Sequence, residues 1–262
     1  MRKAAVPTIR RATVHAKEEG RFYTVAGHSE LFPSVTTILG VINKPQLHLW
    51  TKSRILSFVR KRLNFLREES TTTGRISITE EWVEETIKEA EEQPNVEADV
   101  AAQFGTASHN IIENVIKGQE QEVAPKYAVV VENYNNWLAQ SGLEIKETEK
   151  FIWSETYAGS LDAWGLYTGQ DGRQRVVVVD WKTTNYLQPQ YALQVAAYAK
   201  ALGEMTGTPV EEGWIVRLDK TKPTWQAKKV ADLDQTFEAF LGALRLWRSL
   251  KTDPYAKLTS SH

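Results

Sequence analysis

Hydrophobic positions along this chain repeat with two different periods, and the change falls near residue 142. Before it the period is helical. In KSRILSFVRKRLNFLR (52–67), Ile55, Phe58, Val59, Leu63 and Leu66 recur at three- and four-residue steps, which predicts an amphipathic helix over about 47–67. Ahead of it, a short hairpin is expected around Gly27, then a helix from Ser34 that Pro45 ends. STTTG (70–74) reads as a linker. A helix from Thr79 to Glu92 follows, with Thr79 as its cap, stopped by Pro94 and Asn95. Further helices are predicted over about 97–117, ending at Gly118, and 126–140, ending at Gly142.

After Gly142 the strand period takes over. EIKETEKFIW (144–153), TYAGSLDAWGLYT (156–168) and RQRVVVVDWKTT (173–184) read as strands, the last two joined by the turn GQDG. A helix over about 189–204, strands at 210–218 and 224–230, and an amphipathic helix over 232–250 complete the pattern. The fold class expected is α/β (α+β). The division expected is a flexible segment 1–20, a mainly helical region 21–97 and a mixed core 98–262.

Composition narrows the chemistry. The 262 residues contain no Cys, which excludes disulfides, thiolate zinc sites, cysteine nucleophiles and a cysteine-held iron–sulfur cluster. No apolar run reaches the ~18–20 residues of a membrane span, so a soluble, cytoplasmic protein with no membrane partner is expected. The net charge of −1 conceals an asymmetry: residues 1–75 hold 14 Lys+Arg against 5 Asp+Glu, and residues 80–99 hold nine Asp+Glu and only Lys88. Clustered Lys52, Arg54, Arg60, Lys61 and Arg62 form either a solvated helix face or a surface that follows DNA phosphates.

The candidate chemistry lies in the 156–184 hairpin. With the turn centred on Asp171, Asp162 and Asp180 each lie nine residues away and face each other across the two strands. Opposed like charges destabilise a sheet unless something compensates them, and a shared cation is the natural compensator. Alternation puts Lys182 on the face of Asp180, after the run Val176–Val179 of a strand apolar on both faces. A D/E-x-K triplet alone is weak: Glu144-Ile145-Lys146 also fits, without the apolar run or the paired aspartate. A salt bridge at a strand end is the plain alternative. Two helical pairs add to the pattern: His109 and Glu113 in FGTASHNIIE, and Gln194 and Tyr198 in YALQVAAY, each one turn apart.

GTASH, GSLDAW, VVVVDWKTT and QVAAY, in this order, resemble the PD-(D/E)XK nuclease superfamily and within it the RecB-like exonuclease branch. That branch takes in nuclease domains of helicase–nucleases, CRISPR-associated exonucleases and many phage exonucleases. The motifs span 104–200; PSVTTILGVINKPQLHLW also resembles the opening of phage-encoded members. The resemblance implies a restriction-endonuclease-like core and a metal-dependent DNA exonuclease acting in DNA recombination, repair or degradation. It implies that His109, Asp162, Asp180 and the Trp181 carbonyl ligate Mg²⁺ or Mn²⁺, that Lys182 acts on the attacking water and the phosphate, and that Gln194 and Tyr198 adjoin the substrate. It makes Glu113 and Glu149 candidates for secondary acidic roles. Relatives with an iron–sulfur cluster hold it with four cysteines absent here. A recombinase, helicase or single-strand-binding protein is the class of protein partner implied. A catalytically silent DNA-binding subunit and a restriction-type endonuclease stand as alternatives on the same core.

Overall fold

β5 (Gln174–Lys182) is apolar on both faces, so both must be covered, and it forms the centre of a five-stranded sheet. A computed structural model describes residues 20–74 and 77–252. The strands β3 (Leu143–Trp153), β4 (Ala158–Thr168), β5, β6 (Glu212–Leu218) and β7 (Trp225–Lys229) are neighbours in chain order. All pairs are antiparallel except β5–β6, which is parallel and therefore needs a crossover, here α5 (Gln190–Thr206).

One face is covered by α5 and α6 (Leu233–Ser249): Val178 and Ile215 pack with Val195, Ala197, Leu202 and Phe240. On the other, α4 (Pro125–Ser141) brings Tyr134 and Trp137 edge-on to Trp181, ring centroids 5.6 and 6.1 Å apart. The mixed sheet flanked by helices is the α/β architecture expected. β1 (Phe22–Thr24) and β2 (Leu31–Pro33) form the hairpin around Gly27, at φ 87°, and bury Tyr23, Val25 and Phe32 against Ala158. Ser34 caps the short α1 (Val35–Ile38), accepting from the Thr37 N–H at 3.0 Å, and a single 3₁₀ turn continues to Val41.

Two compact units result, residues 20–42 with 108–252, and residues 43–107. The segment read as 1–20 lies, except for Gly20, outside the described residues. The units part at 42/43 and 107/108, and within the first the apolar side of the β1–β2 hairpin packs with the sheet.

The second unit is an antiparallel helix pair, α2 (Pro45–Thr73) with the first part of α3 (Glu80–Ile116). Two expectations fail in it. Ser70–Thr73 are not a linker but the last turn of α2: the Thr71 and Thr72 hydroxyls donate back to the Glu68 carbonyl at 2.7 and 3.0 Å, and Gly74 caps the helix at φ 78°. Nor does Pro94 stop a helix; α3 runs through it for 37 residues. A mid-helix proline costs ~3 kcal/mol. Packing offsets it, since Thr86, Ala90 and Pro94 form one buried stripe and Gln93 Nε2 donates to Glu97 Oε1 at 3.1 Å across the break. Thr79 does cap α3, its Oγ1 accepting from the Trp82 N–H at 3.2 Å.

Candidate active site

β4 and β5 pair from Thr168↔Gln174 to Ala163↔Val179, and one further step in that register sets Asp162 opposite Asp180. There the strands part. The Trp181 N–H donates to Asp162 Oδ2 at 2.8 Å, so a carboxylate takes the place of a strand carbonyl. The gap opens at the carboxyl end of β5, and the titratable groups gather in it.

His109, on the last turns of α3, lies with Nδ1 3.4 Å from Asp162 Oδ1. Ile112, fully buried on the same helix, holds that segment in the core. Glu149 enters from β3 by an unusual backbone. Its neighbours pair as Thr148↔Ala163 and Lys150↔Leu161, but Glu149 itself sits at φ 47°. A left-handed residue within a strand costs ~1–2 kcal/mol, and such strain collects where a side chain must be re-aimed. Ser160 Oγ donates to its carboxylate at 3.2 Å. One ligand atom each from His109, Glu149 and Asp162 lie within 4.8 Å of one another.

Asp180 is fully buried, and Lys182 holds it. Nζ donates to Oδ1 at 2.9 Å and stands 2.8 Å from Oδ2, so the ammonium straddles the carboxylate. Gln194 Oε1 accepts from Nζ at 3.3 Å, and Gln194 Nε2 donates to the Tyr198 hydroxyl at 3.1 Å. These contacts run from β5 into α5. Glu113 instead forms an ion pair with Lys117.

The charges balance in pairs. Burial alone pulls the His109 imidazole down, but the adjacent Asp162 carboxylate outweighs it and His109 rises to about 9. Asp162 is lowered in return: burial opposes ionisation, and the imidazolium overcomes it. Burial, then Asp162, pushes Glu149 up. Burial also pushes Asp180 up to about 6, against the Lys182 ammonium. Lys182 is itself held above its usual range by Asp180 and Asp162 despite its burial. A proton on His109 thus neutralises Asp162, and Lys182 neutralises Asp180.

This arrangement has a pH signature. The folded-state value of His109 exceeds the 6.5 of an unfolded chain, so its contribution is complete below pH 6.5 and is lost as pH rises through about 9. The melting temperature of chelator-treated protein is expected to fall by roughly 5 °C across that window. The fall should largely vanish in His109→Gln; a fall of the same size there would remove the His109–Asp162 pair as its source. Asp180, raised in the same sense, contributes a loss at lower pH, from 3.8 through about 6.

The structure thus brings His109, Glu149 and Asp162 together, and joins Asp180, Lys182, Gln194 and Tyr198 in a second chain of contacts. Trp181 contributes its N–H to Asp162, while its indole is buried against Tyr134 and Trp137. Two residues escaped the sequence reading. The ring of Tyr191 lies 4.9 Å from Lys182 Nζ, and its place one helical turn before Gln194 is the signal that could have found it. Gly159 is the other. A Cβ there would lie 2.7 Å from Tyr198 Cε1 and 3.5 Å from Ile152 Cδ1. Gly159→Ala is expected to displace Tyr198 from Gln194 and to cost ~1–3 kcal/mol in denaturant unfolding; an unchanged midpoint would show that the ring yields freely.

The basic residues of α2 divide. Arg54 lies 3.9 Å from Glu97, and Arg62 3.3 Å from Glu89 with its guanidinium 5.7 Å from the Trp82 ring centroid, so both are engaged by α3. Lys52, Arg60 and Lys61 are exposed. No helix among the described residues is long and apolar enough to cross a membrane.

The donor set suits a hard divalent cation. It offers one imidazole nitrogen and two carboxylates within a common reach, with the buried Asp180 carboxylate on the facing strand. The profile of the PD-(D/E)XK nuclease superfamily matches residues 77–257, more than half of the chain. No curated protein sequence matches significantly. Among solved structures, an alkaline exonuclease from Laribacter hongkongensis aligns at 16% identity and a TM-score of 0.31, over 56% of this chain and 82% of its own. The same exonuclease in complex with dAMP gives 14% and 0.29 over the same shares. The protein SSO0001 gives 14% and 0.29, over 59% of this chain and 63% of its own. At these scores the structural likenesses add nothing to the family match.

Proposed function

Because the chain belongs to the PD-(D/E)XK nuclease superfamily, we propose that it is a metal-dependent DNA exonuclease whose active site is the gap at the end of β5. The observation that carries this reading is the His109–Glu149–Asp162 cluster beside the buried Asp180–Lys182 pair. Nucleases of this superfamily use divalent metals. Here His109, Glu149 and Asp162 would hold Mg²⁺ or Mn²⁺, with Asp180 and the Trp181 carbonyl as the further ligands that the motif resemblance implies. A bound divalent cation supplies charge against the developing negative charge of the phosphate and makes an attacking water more acidic.

The chain's own residues do the rest. Lys182 presents a point charge to the reacting phosphate, where preorganised charge in a partly dry site is most effective. Asp180, Gln194 and the Tyr191 ring fix the direction of its ammonium. Tyr198 in turn holds the Gln194 amide, so that its oxygen stays on the lysine. His109 gives up its proton when a cation binds, so cation affinity rises with pH toward about 9. An origin in a phage, supported by the likeness of the N-terminal motif, belongs to the same proposal, as do a cytoplasmic location and work beside a recombinase, helicase or single-strand-binding protein.

The test uses end-labelled linear DNA and a covalently closed circle, each with Mg²⁺ or Mn²⁺. Release of nucleotides from linear ends with the circle left intact is expected. Cutting of the circle would support a restriction-type endonuclease, and DNA binding without any cleavage a silent subunit.

A further inference from the structure

The helix pair of residues 43–107 presents a face that the proposed active site does not use. On α2, Leu49, Leu56 and Leu63 are 70%, 56% and 53% exposed, and their seven-residue spacing sets them in one line. Lys52, Arg60 and Arg67 flank that line, exposed and without an ion pair among the described residues. On α3, Val83 and Ile87 are 38% and 46% exposed among Glu80, Glu84 and Glu91, which are likewise exposed. Counted at about 100° per residue from the contacts that join the two helices, both lines fall on the same side of the pair. One broad face is therefore leucine-rich and basic along one edge, and aliphatic and acidic along the other.

A face of this kind complements itself. The pairs Arg54–Glu97 and Arg62–Glu89 fix the level of α2 against α3. The same register puts Arg60 level with Glu91, and Arg67 level with Glu84. A two-fold axis running along the helices keeps every residue at its level and lays α2 of each copy antiparallel on α3 of the other. Arg60 then meets Glu91 of the second copy, Arg67 meets Glu84, and Leu63 packs near Ile87. DNA phosphates would engage the cations but leave the leucines in water, whereas a second helix pair covers both.

We propose that this face is a self-association surface and that its occupant is a second copy of the chain, closing an antiparallel four-helix bundle. The experiment is charge exchange with the full-length protein, read by sedimentation equilibrium. The wild type should sediment at twice the monomer mass at micromolar concentration. Arg60→Glu/Arg67→Glu and Glu84→Arg/Glu91→Arg should each raise the dimer dissociation constant by about a hundredfold or more, because like charges then face each other across both contacts. Mixing the two variants should restore a dimer containing one copy of each. All four positions are exposed, and circular dichroism melts verify that the variants fold. A monomeric wild type, dimeric charge variants, or a mixture that stays monomeric overturns the proposal. So does a monomeric wild type whose DNA affinity drops with Arg60→Glu/Arg67→Glu, which would make α2 a DNA-contacting face.

Discussion

Lys182→Met is expected to lower DNA cleavage by at least about 10²–10³-fold while the protein still folds and still binds Mn²⁺. The variant folds because of the group left behind. Asp180, already pushed up to about 6 by its burial, takes up a proton once the ammonium is gone and stays in the core as a neutral acid. The proposed cation ligands on α3, β3 and β4 are untouched by the change, since His109, Glu149 and Asp162 gather without Lys182. Cleavage assays on the folded variant, with Mn²⁺ binding followed by calorimetry, check this. Cleavage at the wild-type rate would take Lys182 out of the chemistry.

Asp180→Ala has the opposite balance and should be the most damaging single change. It leaves the Lys182 ammonium buried without its carboxylate, a loss of ~3–5 kcal/mol for a broken buried pair. A lysine must be shifted much further than Asp180 to become neutral at pH 7, so protonation offers no relief. Denaturant unfolding should show this loss together with absent cleavage. The double variant Asp180→Ala/Lys182→Met should regain most of the stability and none of the activity. A stable single variant would mean that Lys182 finds another partner.

The sequence made the hairpin register legible because β4 and β5 are symmetric about Asp171, and strand register depends only on turn position and alternation. Which cation neutralises which carboxylate was not legible. It depends on how far the strands part beyond Ala163 and on where α3 and α5 bring His109 and Gln194. Glu149 stood only as a secondary acidic candidate beside Glu113, since no local rule predicts a glutamate at φ 47° within a strand. Pro94 and the Ser/Thr run at 70–73 misled for one shared reason: local breaking tendencies of a few kcal/mol or less are overridden where a helix has a packed face and hydroxyls bond back to its carbonyls. The engagement of Arg54 and Arg62 by α3 required the level of one helix against the other, which spacing within a single helix does not contain.

The most direct measurement is nucleotide release from linear DNA by chelator-treated protein as Mn²⁺ or Mg²⁺ is added back, for the wild type and for Asp162→Asn. The wild type is expected to be inactive without the cation and to regain activity on its addition, faster with Mn²⁺ because an imidazole is among the ligands. Asp162→Asn should need much more cation or stay inactive, having lost the carboxylate that touches both His109 and the Trp181 N–H. Cleavage that persists in the presence of chelator, or an Asp162→Asn variant with the wild-type cation requirement, would contradict the assignment of this gap as the active site.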